Sequence, residues 1–233
     1  AEGRPGDAIL LSAPNQWEVF TYYYDGPLPI YTAPYRPTAD EAERWVQAIL
    51  AQHTSGAFDV AGGRLFVLYW GDTESDPEQL IERELAARAF RARETWITSV
   101  RLALYGTGVP VTSRPPGLDV ATFGGGEILL TGHHVPPTAY APGDVVPLTL
   151  FWRAEESIDA RLKVFVHLLD ADGELVAQVD VEPRDGFAPT TSWMPGEVVV
   201  DRHGLALPDD LPPGPYTILV GLYHLNGERL PVT

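Results

Sequence analysis

The 233-residue chain contains no cysteine, which excludes disulfides, thiolate metal sites and cysteine nucleophiles without fixing a compartment. It has no apolar run near the ~20 residues that a membrane-spanning helix needs, and no signal-peptide pattern is visible. Basic residues are scarce, with 16 Lys and Arg against 32 Asp and Glu and a formal charge of −16. That balance argues against nucleic acid or an anionic membrane surface as a direct partner, and it suits neutral or cationic ligands. Several site motifs are missing as well. No G-x-G-x-x-G or G-x-x-x-x-G-K-[ST] pattern follows a strand-like run, so no nucleotide cofactor is expected. H-E-x-x-H and G-x-S-x-G are absent, so neither a zinc site nor a nucleophile elbow is expected.

Hydrophobic residues make up 45% of the chain, enough for a full core, and the length suits two domains. The first half alternates short apolar runs with helical periods. Ala8–Ser12, Pro29–Thr32, Leu65–Trp70 and Ser99–Tyr105 read as strands. Between the first two, the aromatic stretch Trp17–Tyr24 must make the crossover of a parallel sheet and is read as helix, with Asn15 and Glu18 as a capping box. Thr38 and Glu41 form a second such box. It precedes Ala42, Trp45, Val46, Ile49 and Leu50 at helical spacing. Ser75, Glu78 and Pro77 mark the start of a third helix carrying Leu80, Ile81, Leu85 and Ala89. Strand–helix repetition of this kind predicts a parallel α/β sheet, Rossmann-like, over residues 1–112.

The helical period ends at the glycine- and proline-rich connector Tyr105–Gly117. Short strands follow at Val120–Phe123, Glu127–Val135, Val146–Arg153, Leu162–Asp170, Leu175–Val181, Val198–Arg202 and Tyr216–Tyr223. "DADG" reads as a hairpin turn, with "APGD" and "PPGP" as further turns. This pattern predicts an antiparallel β-sandwich, Ig-like or jelly-roll-like, over residues 113–233. Nine basic and fifteen acidic residues precede position 113, and seven and seventeen follow, giving −6 and −10. Neither half offers a basic patch.

Ligands of open α/β sheets bind beyond the carboxyl ends of the strands. Here that rim holds Ser12, Asn15, Gln16, Thr32, Asp72 and Glu74. Asn15, Gln16 and Trp17, with Trp70 and Asp72, are the candidate binding residues: flat rings cover the apolar face of a sugar, and amides and carboxylates meet its hydroxyls. Against this, Asn15 also serves as a cap and the aromatics as core. Tyr140, Trp152 and Trp193 are a second candidate, a stacking platform on the sandwich, or else core. The acidic loop "GDTESDPE" lacks EF-hand spacing and reads as helix capping rather than a metal site. His133 and His134, adjacent in a strand, point to opposite faces and cannot chelate together. No catalytic residue and no metal ligand is assigned, and Asp201-Arg202-His203 has no serine partner.

Two stretches, "GDAILLSAPNQWEVFTYYYDG" and "RLFVLYWGDTESDPEQLIERELAARAF", resemble the carboxyl-terminal soluble part of large bacterial membrane glycosyltransferases. These are the polyprenyl-phosphate-sugar-dependent enzymes of the protein mannosyltransferase and lipid A arabinosyltransferase class. "KVFVHLLDADGELVAQVD" and "TTSWMPGEVVVDRHGLALPDDLPPGPYTILVGLY" are similar to the β-rich module that follows in some of them. In that class catalysis lies in the membrane portion and an external loop near its first spanning helix, and nothing in this chain matches them. The resemblance implies an extracytoplasmic position at the bacterial cell membrane. It also implies two partners, the membrane-embedded portion of a parent chain and a glycan or polyprenyl-phosphate-sugar acceptor system. The ends "AEGRPGDA" and "NGERLPVT" are then expected to be cuts in a longer protein.

The expectation is a non-catalytic accessory region that positions or binds a glycan or protein acceptor. An independent carbohydrate-binding or adhesion-type module is the alternative, and a hydrolase using the carboxylates between Asp72 and Asp76 is a third reading.

Overall fold

The computed structural model describes residues 3–54, 63–108 and 120–233. The chain divides into two compact units, residues 1–109 and 110–233. The expected boundary at Ser113, with most of the proline-rich connector, falls outside the described residues. The architecture is mostly β, in three sheets. Among the described residues no helix is long and apolar enough to cross a membrane.

Unit 1 contains strands β1 (Ala8–Leu11), β2 (Ile30–Thr32), β3 (Arg64–Tyr69), β4 (Phe90–Ile97) and β5 (Val100–Gly106). Its helices are α1 (Trp17–Tyr23), α2 (Ala39–Thr54), the single turn α3 (Asp72–Ser75) and α4 (Leu80–Arg88). The strand order is β2-β1-β3-β5-β4. β1 is parallel to both β2 and β3, whereas β5 is antiparallel to β3 and to β4. The expected four-stranded parallel sheet is therefore corrected to a mixed sheet of five. The reason is local: β4 and β5 are joined by Thr98 and Ser99 alone, with Thr98 at φ 54°. A two-residue link can close only an antiparallel hairpin. β4 is not among the strands expected from the sequence, and Arg91, Arg93 and Glu94 give it a polar composition.

Alternation along the strands gives this sheet two faces. Leu10, Leu65, Val67, Tyr69, Ala103 and Tyr105 lie on one, packed under Ala42, Val46 and Leu50 of α2 and Ile81 and Leu85 of α4. α2 starts at the expected capping box: the Glu41 carboxylate accepts from the Thr38 amide at 2.9 Å and from its hydroxyl at 3.0 Å. α4 starts differently from expectation. Its N-cap position is Gln79, and Asp76, not Ser75, accepts from the first amides, those of Leu80 and Ile81, each at 2.9 Å. The Ser75 hydroxyl instead donates to the carbonyls of Ser12 and Gly71, joining α3 to the end of β1. The Asn15–Glu18 box is not formed either. Asn15 lies inside a 3-10 turn, Pro14–Gln16, and α1 has no side-chain cap.

Unit 2 contains β6 (Ala121–Phe123), β7 (Ile128–His134), β8 (Val145–Ala154), β9 (Leu162–Leu169), β10 (Leu175–Val181), β11 (Val198–Ala206) and β12 (Thr217–His224). All seven expected strands are present. They pair antiparallel in two sheets, β10-β9-β12 and β11-β8-β7-β6. Their inward residues make one core, in which Leu130, Leu148 and Leu150 of one sheet join Val164, Val166 and Leu222 of the other. The "DADG" turn links β9 to β10: the Asp170 carboxylate accepts from the amides of Asp172 and Glu174, and Gly173 takes φ 83°.

Candidate functional site

α1 has only seven residues, none of them buried. It lies over the sheet face opposite α2 and α4 but is too short to cover it. What remains is a cleft of about 360 Å³ beyond the carboxyl ends of β1 and β3. Leu11, Leu68 and Val100 line it from the sheet, and Val19, Phe20, Tyr23 and Tyr24 from the helix and its end. Gln16 and Trp70 complete the lining, which includes no charged side chain.

Local packing holds the walls. Phe20 and Tyr24, one helical turn apart, stack with ring centroids at 5.3 Å. The Tyr24 hydroxyl accepts from the Leu28 amide at 3.1 Å. Gly26 permits this, because a Cβ there would lie 2.5 Å from the Tyr24 ring. Gly71 turns the chain after β3 with φ 76°, and a Cβ on it would lie 3.4 Å from Gln16 Nε2. The loops after β1 and β3 thus meet at an amide and a glycine, a pairing that the rim rule for α/β sheets anticipates.

Of the five residues expected here, Gln16 and Trp70 line the cleft and the other three do not. Trp17 is 43% exposed and Asn15 is exposed in its turn. Asp72 is drawn toward Arg101, 4.0 Å away. Arg101 lies over the Tyr69 ring at 3.9 Å and reaches both Glu82 oxygens, at 2.7 and 2.5 Å. Because Tyr69 faces α2 and α4, that ionic group belongs to the covered side of the sheet. Asp76 is hydrogen-bonded to the first amides of α4, those of Leu80 and Ile81.

The sandwich platform is corrected. Trp152 is fully buried and Trp193 nearly so, both in the core of unit 2. Trp152 packs edge-on against Phe123, and its Nε1 donates to Asp201. Trp193 Nε1 donates to the Ala188 carbonyl at 2.9 Å. Neither ring face reaches solvent. Strand alternation explains this, since Trp152 shares a face with Leu148 and Leu150. Tyr140 alone is partly exposed, at the edge of a separate cavity.

Asp201 and His203 sit 2.6 Å apart, both buried. Burial shields both from solvent. Among the described residues no three His, Asp or Glu side chains are grouped to hold a metal. Comparison with known proteins finds no family model that matches the chain and no curated protein that matches it.

Proposed function

We propose that this chain is a non-catalytic binding region that holds a neutral glycan, and that the cleft beside α1 is its site. The observation that carries the reading is the cleft's composition: aromatic walls, one amide, and no charge. Ring faces at Tyr23, Tyr24 and Trp70 suit the C–H face of a pyranose, and the Gln16 amide can both donate to and accept from a hydroxyl. A site this open, with few hydrogen bonds, gives millimolar affinity, roughly −4 kcal/mol.

Resemblance supplies the context. On this reading the region is extracytoplasmic and belongs to a polyprenyl-phosphate-sugar-dependent membrane glycosyltransferase, with the membrane-embedded part of the parent chain as its partner. Unit 1 would be a Rossmann-like fold with an antiparallel extension, supported by its parallel β2-β1-β3 core with helices on both faces. Unit 2 would be an Ig-like or jelly-roll-like sandwich, supported by two antiparallel sheets around one core.

The test is a titration of neutral oligosaccharides followed by tryptophan fluorescence. Saturable millimolar binding that Trp70→Ala and Gln16→Ala weaken, and Trp17→Ala leaves unchanged, supports the site. Binding that none of these alters removes it. The reading frame upstream of Ala1 separates the contexts: several spanning helices support the transferase, and a signal peptide directly ahead supports an independent carbohydrate-binding or adhesion-type module.

A further inference from the structure

Unit 2 holds a cavity of about 650 Å³ at one end of its two sheets, where β7, β9 and β11 end and β8 and β12 begin. Val146, Leu168 and Leu207, all buried, form its floor. Its rim is exposed and carries Pro142, Pro212, Pro213 and Gly214, so the cavity opens to water. The size lies within the range of small-molecule sites. No charged side chain lines it.

Two tyrosines stand at its walls with their protons already used. The Tyr140 hydroxyl donates to the Pro136 carbonyl at 3.2 Å, and the Tyr216 hydroxyl to the Pro212 carbonyl at 2.7 Å. Burial, and then the Asp144 carboxylate, push the Tyr140 hydroxyl up to about 12, so it stays neutral. The cavity therefore offers mainly apolar surface, with a smaller polar share to which Thr138 contributes. Burying an aliphatic chain against this surface is favourable in proportion to the apolar area it removes from water. Prolines fix the backbone of the rim, so little ordering is needed on binding. The segment Leu211–Tyr216 also borders a groove lined by Asp170, Asp172 and Asp210. An anionic head group entering past it would meet carboxylates.

We propose that this cavity binds an uncharged aliphatic chain, entered past the Leu211–Tyr216 segment. The site is independent of the glycan cleft in unit 1. The experiment uses the full chain, with Nile red as fluorescent probe and dodecanol or dodecanoate as competitors. Methyl NMR shifts of Val146, Leu168, Leu207 and Ile218 locate the binding. Dodecanol is expected to displace the probe and shift those methyls, with dodecanoate roughly tenfold weaker or more. Ile218→Trp, which fills the cavity, is expected to abolish displacement. Should that variant not fold, the methyl shifts of the native chain decide. Shifts at Leu11, Leu68 and Val100 instead, no shifts at all, or dodecanoate as tight as dodecanol would overturn the proposal.

Discussion

In unit 1 one of the buried carboxylates, Asp7, faces a guanidinium; in unit 2 the buried Asp201 faces an imidazole. Asp7 sits just before β1 and grips Arg64 at the start of β3, with Nε to Oδ1 at 3.0 Å and Nη2 to Oδ2 at 2.6 Å. The amides of Arg4 and Arg64 also donate to it. This pair sets the start of two neighbouring strands, and its cation does not titrate. Asp201 lies on the core side of β11, between Val199 and Leu205. It accepts from His203 Nε2, from Trp152 Nε1 and, at 2.8 Å, from the Arg184 amide. Arg184 and Asp185 have φ of 50° and 57°, so Asp201 ties a strained turn to the core. One unit uses a carboxylate–guanidinium pair to align strands, and the other a carboxylate–imidazole pair to pin a loop.

The sharpest way to break that contrast is Asp7→Ala. It removes the carboxylate that faces the buried Arg64 guanidinium and should cost about 3–5 kcal/mol. Urea unfolding with hydrogen exchange at β1 and β3 amides reads the loss. Replacing Asp7 and Arg64 together by Leu and Met should recover most of it. If the double variant is as unstable as the single one, the ion pair carries more than charge compensation.

Asp201→Asn should cost about 1–3 kcal/mol, because one buried acceptor becomes a donor facing donors. The Asp201 pair carries a pH dependence of its own. Burial alone would raise the Asp201 carboxyl, but charge and hydrogen bonding from His203, with the Arg184 and Trp152 bonds, hold it below its ordinary 3.8. As pH falls, the unfolded chain takes the proton first. The contribution is thus complete above the unfolded value and is lost as pH falls through the lower folded value. Acid unfolding of unit 2 should flatten in Asp201→Asn below about pH 4. An unchanged acid limb would show that other carboxylates set it.

The smallest effect compares two helix starts within unit 1. Thr38→Ala removes a formed box and should cost about 1 kcal/mol. Asn15→Ala removes a cap that does not exist, so thermal melting should show a change within about 0.5 kcal/mol.

Much of this was legible in the residues. Alternation and turn residues located the seven strands of unit 2. Helical spacing and Thr38–Glu41 located α2, and the rim rule brought Gln16 and Trp70 together. What was not legible depended on neighbours distant in the chain. Phe90–Ile97 reads as strand only once the Thr98–Ser99 turn lays it against β5. Trp152 and Trp193 read as platform or as core, and burial against the second sheet decides for core. The unit 2 cavity combines residues from Val135 to Ile218 that share no local pattern. By itself the sequence determined the local conformations and which side of each strand or helix is apolar, because backbone sterics and side-chain period act over a few residues. Only the tertiary structure decided what covers each apolar side, and where α1 and the two sheets leave one open, because burial is set by partners far along the chain.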